Sequence, residues 1–293
     1  MLGAAYRVTL ATGWQADDAD DSALMIALHA RRSAPAISAW KRAHGRPLLL
    51  ALTGTDLYRD IDGNGAAQTS LALADALVVL NLLGPQRLPL AMQAKCRVLL
   101  QSCSQRKPMA KTGRHLRALM VGHLREEKDP QTYFAAARQL AGRRDILLDH
   151  IGAALDPALG AQANALAAAL PHYRWLGGRP HAEVRRRIQA AHVLVHASRI
   201  EGGAHVVIEA LRSGTPVLAS RIDGNLGLLG SGYGGCFEAG DAMALATLLQ
   251  QARDDADMLP ALQAHCDARS PLFAPEAEAE GLRRLVAQLL SKP

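Results

Sequence analysis

Two glutamates eight residues apart, Glu201 and Glu209, are the side chains of this sequence best placed to do chemistry. Glu201 lies in a glycine-rich loop after a short apolar run, Val193–Ala197, which predicts a buried strand. Glu209 lies in the next segment, Ala204–Arg212, which predicts a helix. Because eight residues span about two helical turns, both carboxylates can face one ligand. The two glycines after Glu201 let backbone amides approach an anion at the start of this helix.

The elements around Glu209 complete a unit that can present it to a ligand. Gly214 suits the left-handed position that ends a helix, and Val217–Ser220 predicts a second strand. Strand, loop, helix and strand form a parallel βαβ unit, in which ligands bind beyond the carboxyl ends of the strands. Glu209 stands between the apolar residues Ile208 and Ala210, where a carboxylate needs a partner. We expect it to accept hydrogen bonds from a sugar diol; the alternative is two surface glutamates around a packed helix.

Two further loops offer groups that suit a charged ligand. The stretch Val121–Asp129, VGHLREEKD, follows an apolar run and holds Arg125 and Lys128. A glycine-containing loop between strand and helix suits a diphosphate, because the helix start and the two cations stabilise the charge of a departing group. The alternative is a solvated turn whose charges pair with one another. The loop Thr53–Asp56 offers hydroxyls, amides and a carboxylate to a ligand, or it forms a turn capped by Asp56.

The sequence holds no convincing metal site. The acidic run Asp17–Asp21 contains the spacing Asp-x-Asp, which can chelate a divalent cation, but a solvated acidic turn is the better interpretation. Histidines and cysteines form no cluster with ligand spacing, so no metal or other cofactor is expected. Cys103 has no base beside it in the sequence and is interpreted as a structural thiol.

The composition limits the classes of protein to consider. At 293 residues and 31.2 kDa, the chain exceeds the usual size of one hydrophobic core, so two domains are expected. The net charge of +6 favours anionic ligands, but the basic residues form no stripe interleaved with aromatics, so no nucleic acid is expected. No apolar run reaches the ~20 residues of a membrane span, and the N-terminus has no signal-peptide pattern. With four scattered cysteines, the sequence predicts a cytoplasmic protein with reduced thiols.

Apolar runs and helix signals alternate along the chain, which predicts an α/β fold with parallel sheets in two halves. A polar, basic segment, Gln105–Gly113, is interpreted as the linker, so the predicted domains are residues 1–108 and 109–293, with the last helix able to pack back on the first domain. In the first half, the predicted strands are Arg7–Ala11, Leu24–His29, Leu48–Leu52, Ala76–Leu80 and Val98–Gln101, and the predicted helices are Ala34–His44 and Leu88–Lys95. In the second half, the other predicted strands are Leu116–Val121, Ile146–Ile151, Tyr173–Leu176 and Cys236–Glu238, and the other predicted helices begin at Asp129 or span Ala158–Leu170, His181–Ala191, Ala242–Ala252 and Pro275–Leu290.

These motifs together resemble a known family. Glu201 and Glu209 match the two glutamates, eight apart, of the retaining family 4 glycosyltransferases of the GT-B fold, and the resemblance spans nearly the whole chain. The stretches TGTDLYRDI, VGHLREEKDP, EGGAHVVIEALRSGTPVLAS and RIDGN are most similar to the selenosugar synthases of selenoneine biosynthesis. This resemblance implies two Rossmann-like domains facing a central cleft, and transfer of a sugar from UDP-N-acetylglucosamine or UDP-glucose to selenophosphate. The product would be a selenium-linked sugar, which a partner enzyme joins to a histidine-derived betaine.

The resemblance also implies a role for each loop. Glu209 would bind the ribose hydroxyls, Glu201 would hold the sugar, and Lys128 would neutralise the diphosphate. Basic side chains and helix ends would replace a metal. The implied catalytic residues are Lys128, Arg125 and Glu201; the implied donor-binding residues are Gly122, His123, Gly177, Gly178, Arg179, Gly202, Gly203, Ala204, His205, Val206 and Glu209; the acceptor-side residues are Thr53, Gly54, Thr55 and Asp56.

Two features depart from the pattern of the family. The arginine that the family carries five residues before the lysine is His123 here, so either Arg125 replaces it or the site is less charged. The chain starts at what would be the second strand of the family, so the first domain is expected to lack the usual first strand and its glycine-containing loop. The alternatives to a selenosugar synthase are a family 4 transferase with an ordinary carbohydrate or lipid acceptor, and a catalytically inactive nucleotide-sugar-binding protein.

Overall fold

The computed structural model describes residues 1–3, 5–15 and 21–291. The chain forms two compact units, each built on one parallel sheet. The first unit contains Met1–Ser102, the short segment Glu201–Gly203 and Leu272–Pro293, and the second contains Cys103–Ile200 and Ala204–Pro271. The sequence-based division between residues 108 and 109 lies a few residues beyond this point of division, and the last helix belongs to the first unit.

The first unit has four parallel strands whose order in the sheet is their order in the chain. They are β1 (Met25–Leu28), β2 (Leu48–Ala51), β3 (Ala76–Val79) and β4 (Cys96–Val98). Its helices before the end of the chain are α1 (Ala34–His44), α2 (Gly65–Leu73) and α3 (Leu90–Gln93). A π-helical turn, Asp56–Asp60, lies between β2 and α2.

The second unit has six parallel strands, β5 (Leu116–Val121), β6 (Ile146–Ile151), β7 (Tyr173–Trp175), β8 (Val193–His196), β9 (Val217–Ser220) and β10 (Cys236–Phe237). Its helices are α4 (Pro130–Gln139), α5 (Pro157–Ala169), α6 (His181–Ala190), α7 (His205–Leu211), α8 (Asp223–Leu229), α9 (Ala242–Asp254) and α10 (Met258–Arg269). The order in the sheet is β10-β9-β8-β5-β6-β7: the chain starts in the middle, builds out to β7, then crosses to β8 and builds out the other way. This doubly wound order is that of a Rossmann fold.

The sheet of the first unit is covered on both faces. On one face, Leu50 packs with Trp40 of α1. On the other face, Leu49 packs with Leu285 and Leu289 of the last helix, α11 (Pro275–Leu290). Burial of one leucine stabilises a fold by about 1.5–3 kcal/mol. The end of the chain therefore supplies part of the core of the first unit.

Most of the predicted elements are confirmed. The predicted bounds of α1, β5, β6, β9 and α11 are those of the structure, and Gly214 has a φ of +64°. The predicted class, an α/β fold with two Rossmann-like halves and parallel sheets, is confirmed as well. Two predicted strands are wrong: Arg7–Ala11 forms no strand, with Leu10 94% exposed, and Val98–Gln101 shares only Val98 with β4. A short apolar run becomes a strand only where a neighbouring strand and a covering layer bury it.

Candidate functional site

The sheet of the second unit reverses its winding between β5 and β8, which pair side by side. In doubly wound sheets, ligands bind at the carboxyl edge of such a switch point, because the loops there diverge and leave a crevice. The loop after β5 covers residues 122–129 and carries Arg125 and Lys128. The loop after β8 begins at residue 197 and leads to α7, which carries Glu209. The fold thus brings the two most informative motifs of the sequence to adjacent strands.

Three glycines close the carboxyl edge of β5, β6 and β7. The N–H of Gly122 donates to the carbonyl oxygen of Ile151 at 2.9 Å, and the N–H of Gly152 donates to the carbonyl oxygen of Gly177 at 2.9 Å. A Cβ on Gly152 would overlap the carbonyl oxygen of Gly122, so only glycine fits there. Gly177 has a φ of +68°, in the left-handed region. The loop that holds Gly152 therefore packs backbone against backbone with the loops of Gly122 and Gly177.

A buried histidine, which sequence reasoning missed, holds the same edge. His150 donates from Nε2 to the carbonyl oxygen of Gly122 at 3.2 Å, and its Nδ1 lies 3.3 Å from the hydroxyl of Tyr173. Burial lowers the pKa of His150 to about 4, although the hydrogen bond to Gly122 acts in the opposite direction. The ring is therefore neutral at pH 7, and the carbonyl that it faces fixes its proton on Nε2.

The β5 loop carries the cations Arg125 and Lys128 beside His123. The Nδ1 atom of the exposed His123 accepts a hydrogen bond from the N–H of Ala153 at 3.1 Å, so Nε2 is the ring nitrogen that can donate. Arg125 is exposed, and its Nε lies 3.9 Å from the carboxylate of Glu127. Lys128 is half-buried in a short 3-10 turn, and its aliphatic stem packs beside the backbone of this loop.

Asp129 and Arg199 join the two loops of the switch point. Asp129 has a φ of +45° and caps α4, because its Oδ1 accepts a hydrogen bond from the N–H of Thr132 at 3.3 Å. Its Oδ2 accepts from the Nε of Arg199 at 3.1 Å, and the N–H of Arg199 donates to the carbonyl oxygen of Glu127 at 2.9 Å. The loop after β8 is therefore tied to the loop that carries Lys128. The sequence analysis did not select Arg199, although its position just after the predicted strand Val193–Ala197 indicates a cation at the carboxyl edge of the sheet.

Glu209 is a buried carboxylate held by two histidines and an arginine. It is 3% exposed on α7, and its Oε1 lies 2.5 Å from Nε2 of His181 and 3.4 Å from Nδ1 of His205. Nη1 of Arg185 lies 3.9 Å from the same oxygen. Burial acts to raise the pKa of this carboxyl, but the hydrogen bonds from His205 and His181, together with the charge of Arg185, outweigh it. The pKa of Glu209 is therefore below its usual value, and the side chain is ionised at neutral pH.

Two of these partners, His181 and Arg185, were not predicted. They stand four residues apart on α6 and so share one face of that helix. Arg185 is 4% exposed, and its Nη2 donates to the carbonyl oxygen of Ser104 at 2.8 Å. Burial raises the pKa of the neighbouring Cys103 thiol, although the charge of Arg185 acts in the opposite direction. Cys103 is therefore a neutral thiol at pH 7, which agrees with its interpretation as a structural residue.

The remaining predicted residues of the second unit lie in the loop before α6 or at the start of α7. Ala204 is buried and precedes the first residue of α7, and its carbonyl oxygen accepts from the N–H of Val207 at 2.9 Å. Val206 is half-buried on the first turn of α7. Gly178 and Arg179 are exposed in the loop between β7 and α6. That loop leads directly into His181.

In the first unit, both oxygens of the Asp56 carboxylate accept hydrogen bonds from the protein. Asp56 is completely buried; its Oδ1 accepts from the N–H and the hydroxyl of Thr53 at 2.8 and 2.9 Å, and its Oδ2 accepts from the N–H of Ala30 at 2.9 Å. These bonds connect the loops after β1 and β2. A ligand at this turn would therefore bind its hydroxyl and backbone groups rather than this carboxylate.

The hydroxyl of Thr55 also has a partner in the first unit. Nε2 of His29 lies 3.1 Å from its Oγ1, and the same nitrogen lies 3.9 Å from the carboxylate of Asp60. His29 is buried and has a φ of +71°, a backbone conformation that residues other than glycine rarely adopt. Burial acts to raise the pKa of Asp60, but the hydrogen bond from Arg31 at 2.7 Å outweighs it and the pKa lies below its usual value. Sequence reasoning missed His29.

The segment Glu201–Gly203 packs within the first unit. The side-chain amide of the buried Asn81 donates to the carbonyl oxygen of Gly202 at 2.7 Å. A Cβ on Gly202 would overlap the carbonyl oxygen of Thr53, and a Cβ on Gly203 would lie 2.7 Å from Cβ of Leu80. Close packing therefore requires glycine at both positions, independently of any ligand. Glu201, which is half-buried, precedes this packed pair.

Two absences concern only the described residues. Over residues 1–3, 5–15 and 21–291, no group of three His, Cys, Asp or Glu side chains could hold a metal ion. Asp17–Asp20, most of the acidic run singled out above, lie outside the described residues. Among the helices of that part of the chain, none is long and apolar enough to cross a membrane.

The sequence matches the family model described as glycosyl transferases group 1 over residues 104–268, more than half of the chain. The protein therefore belongs to the group 1 glycosyl transferases. The matched residues include the whole sheet of the second unit, the β5 loop with Lys128, and Glu209. No curated protein matches the sequence.

Solved structures share the fold at low sequence identity. A sucrose-phosphate synthase from Thermosynechococcus elongatus superposes with a TM-score of 0.76 at 20% identity, covering 92% of this chain and 74% of the other. HepE of Anabaena, in complex with UDP and glucose, gives 0.74 at 16% identity, with coverage of 91% and 78%. The pneumococcal O-GlcNAc transferase GtfA, in complex with UDP and GlcNAc, gives 0.71 at 15% identity, with coverage of 91% and 57%. These likenesses confirm the GT-B fold class.

Proposed function

We propose that this protein is a retaining family 4 glycosyltransferase that transfers a sugar from UDP-N-acetylglucosamine or UDP-glucose to selenophosphate. The assignment of a UDP-sugar as donor rests on one observation. The carboxylate of Glu209 is buried, ionised and near the switch point of the second unit. A ribose diol offers two hydroxyl donors, and a carboxylate accepts such hydrogen bonds strongly. The UDP found in the HepE and GtfA complexes supports uridine diphosphate as the nucleotide.

Each predicted residue has a role in this proposal. Glu209 binds the ribose hydroxyls, and the loop with Gly177, Gly178 and Arg179 faces the nucleobase. Gly122 and His123 lie beside the phosphates of the donor, where the Nε2–H of His123 donates a hydrogen bond. Glu201 and the backbone of residues 202–206 hold the sugar and its phosphate. Thr53, Gly54 and Thr55 serve the acceptor, with Asp56 holding their loop in shape.

The proposed reaction needs no group covalently attached to the protein. The selenium of selenophosphate attacks C1 of the sugar, the bond from C1 to the UDP oxygen breaks, and UDP leaves with the electron pair. Lys128 and Arg125 stabilise the charge that develops on the leaving diphosphate. Attack from the face that UDP leaves retains the configuration at C1. No metal is required, because these cations do the work that a divalent ion does elsewhere.

The acceptor half of the proposal is supported by other observations. The stretches around Thr53, Lys128 and Glu209 are most similar to selenosugar synthases, and the net charge of +6 suits an anionic acceptor. All four cysteines are free thiols, which supports a reducing compartment such as the cytoplasm, where a selenium nucleophile would persist.

The test is turnover of each UDP-sugar with and without selenophosphate. UDP release is followed by a coupled assay, and the product is followed by mass spectrometry for the selenium isotope pattern. Glu209→Gln is run beside Glu183→Gln, a nearby carboxylate paired with Arg187 at 2.8 Å, as a matched control. We expect turnover only with selenophosphate, loss of activity in the first variant and retention in the second.

Other outcomes separate the alternatives. Turnover with ordinary carbohydrate or lipid acceptors but not with selenophosphate would contradict the acceptor and leave a family 4 transferase. Binding of a UDP-sugar without turnover in the presence of any acceptor would indicate a nucleotide-sugar-binding protein. Absence of UDP-sugar binding would reject the donor assignment itself.

A further inference from the structure

The protein holds the carboxylate of Glu209 at its Oε1 atom. This oxygen faces Nε2 of His181 at 2.5 Å, Nδ1 of His205 at 3.4 Å and Nη1 of Arg185 at 3.9 Å. An ionised carboxylate accepts at both oxygens. Contacts at Oε1 therefore orient the whole carboxylate, including Oε2, which is the oxygen assigned to the ligand in the proposed role of Glu209.

The three groups at Oε1 are anchored differently. Arg185 is buried and fixed by its bond to Ser104, but at 3.9 Å it is beyond hydrogen-bonding distance of Oε1. His205 belongs to the same helix as Glu209, one turn earlier, and so moves with it. His181 belongs to another helix, α6, and makes the shortest contact of the three. It is thus the group that fixes Glu209 relative to a second element of the unit.

The backbone of His181 is well placed for this task. It is the first residue of α6 and follows Pro180, whose ring restricts the φ angle to the observed −58°. The loop before it is anchored at Gly177, which accepts from the N–H of Gly152. The side chain of His181 is nevertheless 73% exposed, so its hydrogen bond, and not packing, connects it to the rest of the unit.

We propose that His181 is a positioning residue, which holds Oε1 of Glu209 so that Oε2 is presented in one orientation to the 2′-hydroxyl of a ribonucleotide. This inference rests on the proposed role of Glu209 as the ribose-binding group. A glutamate side chain has three rotatable bonds, and a ligand that must order it binds less tightly than one that finds it ordered. Loss of the hydrogen bond should weaken UDP binding roughly three- to tenfold.

The experiment compares UDP with 2′-deoxy-UDP, because a group that acts through Glu209 must affect mainly the ligand with the 2′-hydroxyl. Dissociation constants for both ligands are measured by calorimetry on the wild type, His181→Ala, His181→Gln and Arg186→Ala. The glutamine amide reaches about as far as Nε2 of histidine and can donate in its place. Arg186 is an exposed residue of the same helix, and its truncation is the matched control.

We expect the wild type to prefer UDP by about tenfold or more, the scale of one hydrogen bond to a charged group. His181→Ala should lose most of this preference, His181→Gln should recover part of it, and Arg186→Ala should keep it. An equal loss of affinity for both ligands in His181→Ala, with the preference unchanged, would overturn the inference and leave only a structural role. If the wild type binds UDP without preferring it, ribose recognition by Glu209 is rejected with the inference. If the wild type does not bind UDP, the proposed function itself fails.

Discussion

Replacement of Glu209 is the sharpest test of the donor site. The side chain is 3% exposed, and its Oε2 atom is proposed to accept a hydrogen bond from the ribose. A hydrogen bond to a charged group contributes about 1.5–3 kcal/mol, so Glu209→Ala should raise the dissociation constant for UDP by about 10- to 150-fold. Glu209→Gln keeps the shape and one carbonyl acceptor, so its loss should lie at the lower end of this range.

The same change has a cost in stability that must be measured apart from binding. Removal of the carboxylate leaves the buried Arg185 without a countercharge, although its bond to Ser104 remains. An unsatisfied buried polar group costs about 1–3 kcal/mol, more when it is charged, and we expect Glu209→Ala to be destabilised on this scale. Calorimetric binding at a temperature well below the unfolding midpoint of the variant, with Glu183→Gln as control, separates the two effects. An unchanged dissociation constant in a folded Glu209→Ala protein would refute the assignment.

Four further outcomes are expected. A chelator should leave turnover unchanged; loss that Mg²⁺ restores would point to a metal site in the acidic run near the N-terminus. Gly152→Ala should destabilise the fold by about 1–3 kcal/mol in denaturant unfolding because of backbone overlap, whereas Gly142→Ala, where a Cβ meets nothing, should be neutral. Asp56→Asn should lower the free energy of unfolding by about 2–3 kcal/mol, because it places an amide donor against buried donors. Asp62→Asn, at an exposed position, should change the free energy of unfolding little in the same denaturant experiment. His150 has a pKa of about 4 in the folded protein, below its unfolded value near 6.5. Its contribution to the free energy of unfolding should therefore be lost as the pH falls, by about 2 kcal/mol between pH 7 and pH 5. If the same pH dependence persists in His150→Gln, other groups cause it.

Elements with strong local signals could be predicted from the sequence. The bounds of α11 follow from Pro275 at its first turn and from leucines at helical spacing, of which Leu285 and Leu289 are buried. The strands β5 and β6 follow from continuous apolar runs, because parallel strands covered on both faces need little alternation. By contrast, α8 was missed because Gly224 and Gly227 lower helix propensity; both are buried, so tertiary packing decides the structure there.

The sequence could predict which loop or helix holds each residue of the candidate site, but not which residues from different elements meet there. The positions of Lys128 and Glu209 relative to strand ends are local properties, and the sequence placed them correctly on a loop and a helix. The contact between His181 and Glu209 joins residues 28 apart, and it depends on how two helices pack on one sheet. Asp56 shows the same limit in another form. A carboxylate that ends a turn has the same sequence pattern whether it binds a ligand or, as here, groups of its own loop and of a neighbouring loop.

The packing of α11 on the first unit has a consequence for the order of folding during synthesis. Leu49 and Val78 are synthesised before the second unit, but Leu285 and Leu289, which cover them, are synthesised after it. The second unit is complete by Pro271, before that cover exists. The first unit to be synthesised is therefore the last to complete its core, and during that interval one face of its sheet stays exposed to solvent and to chaperones. A released chain that is truncated before residue 275 should accordingly show protease sensitivity in the first unit and protection in the second.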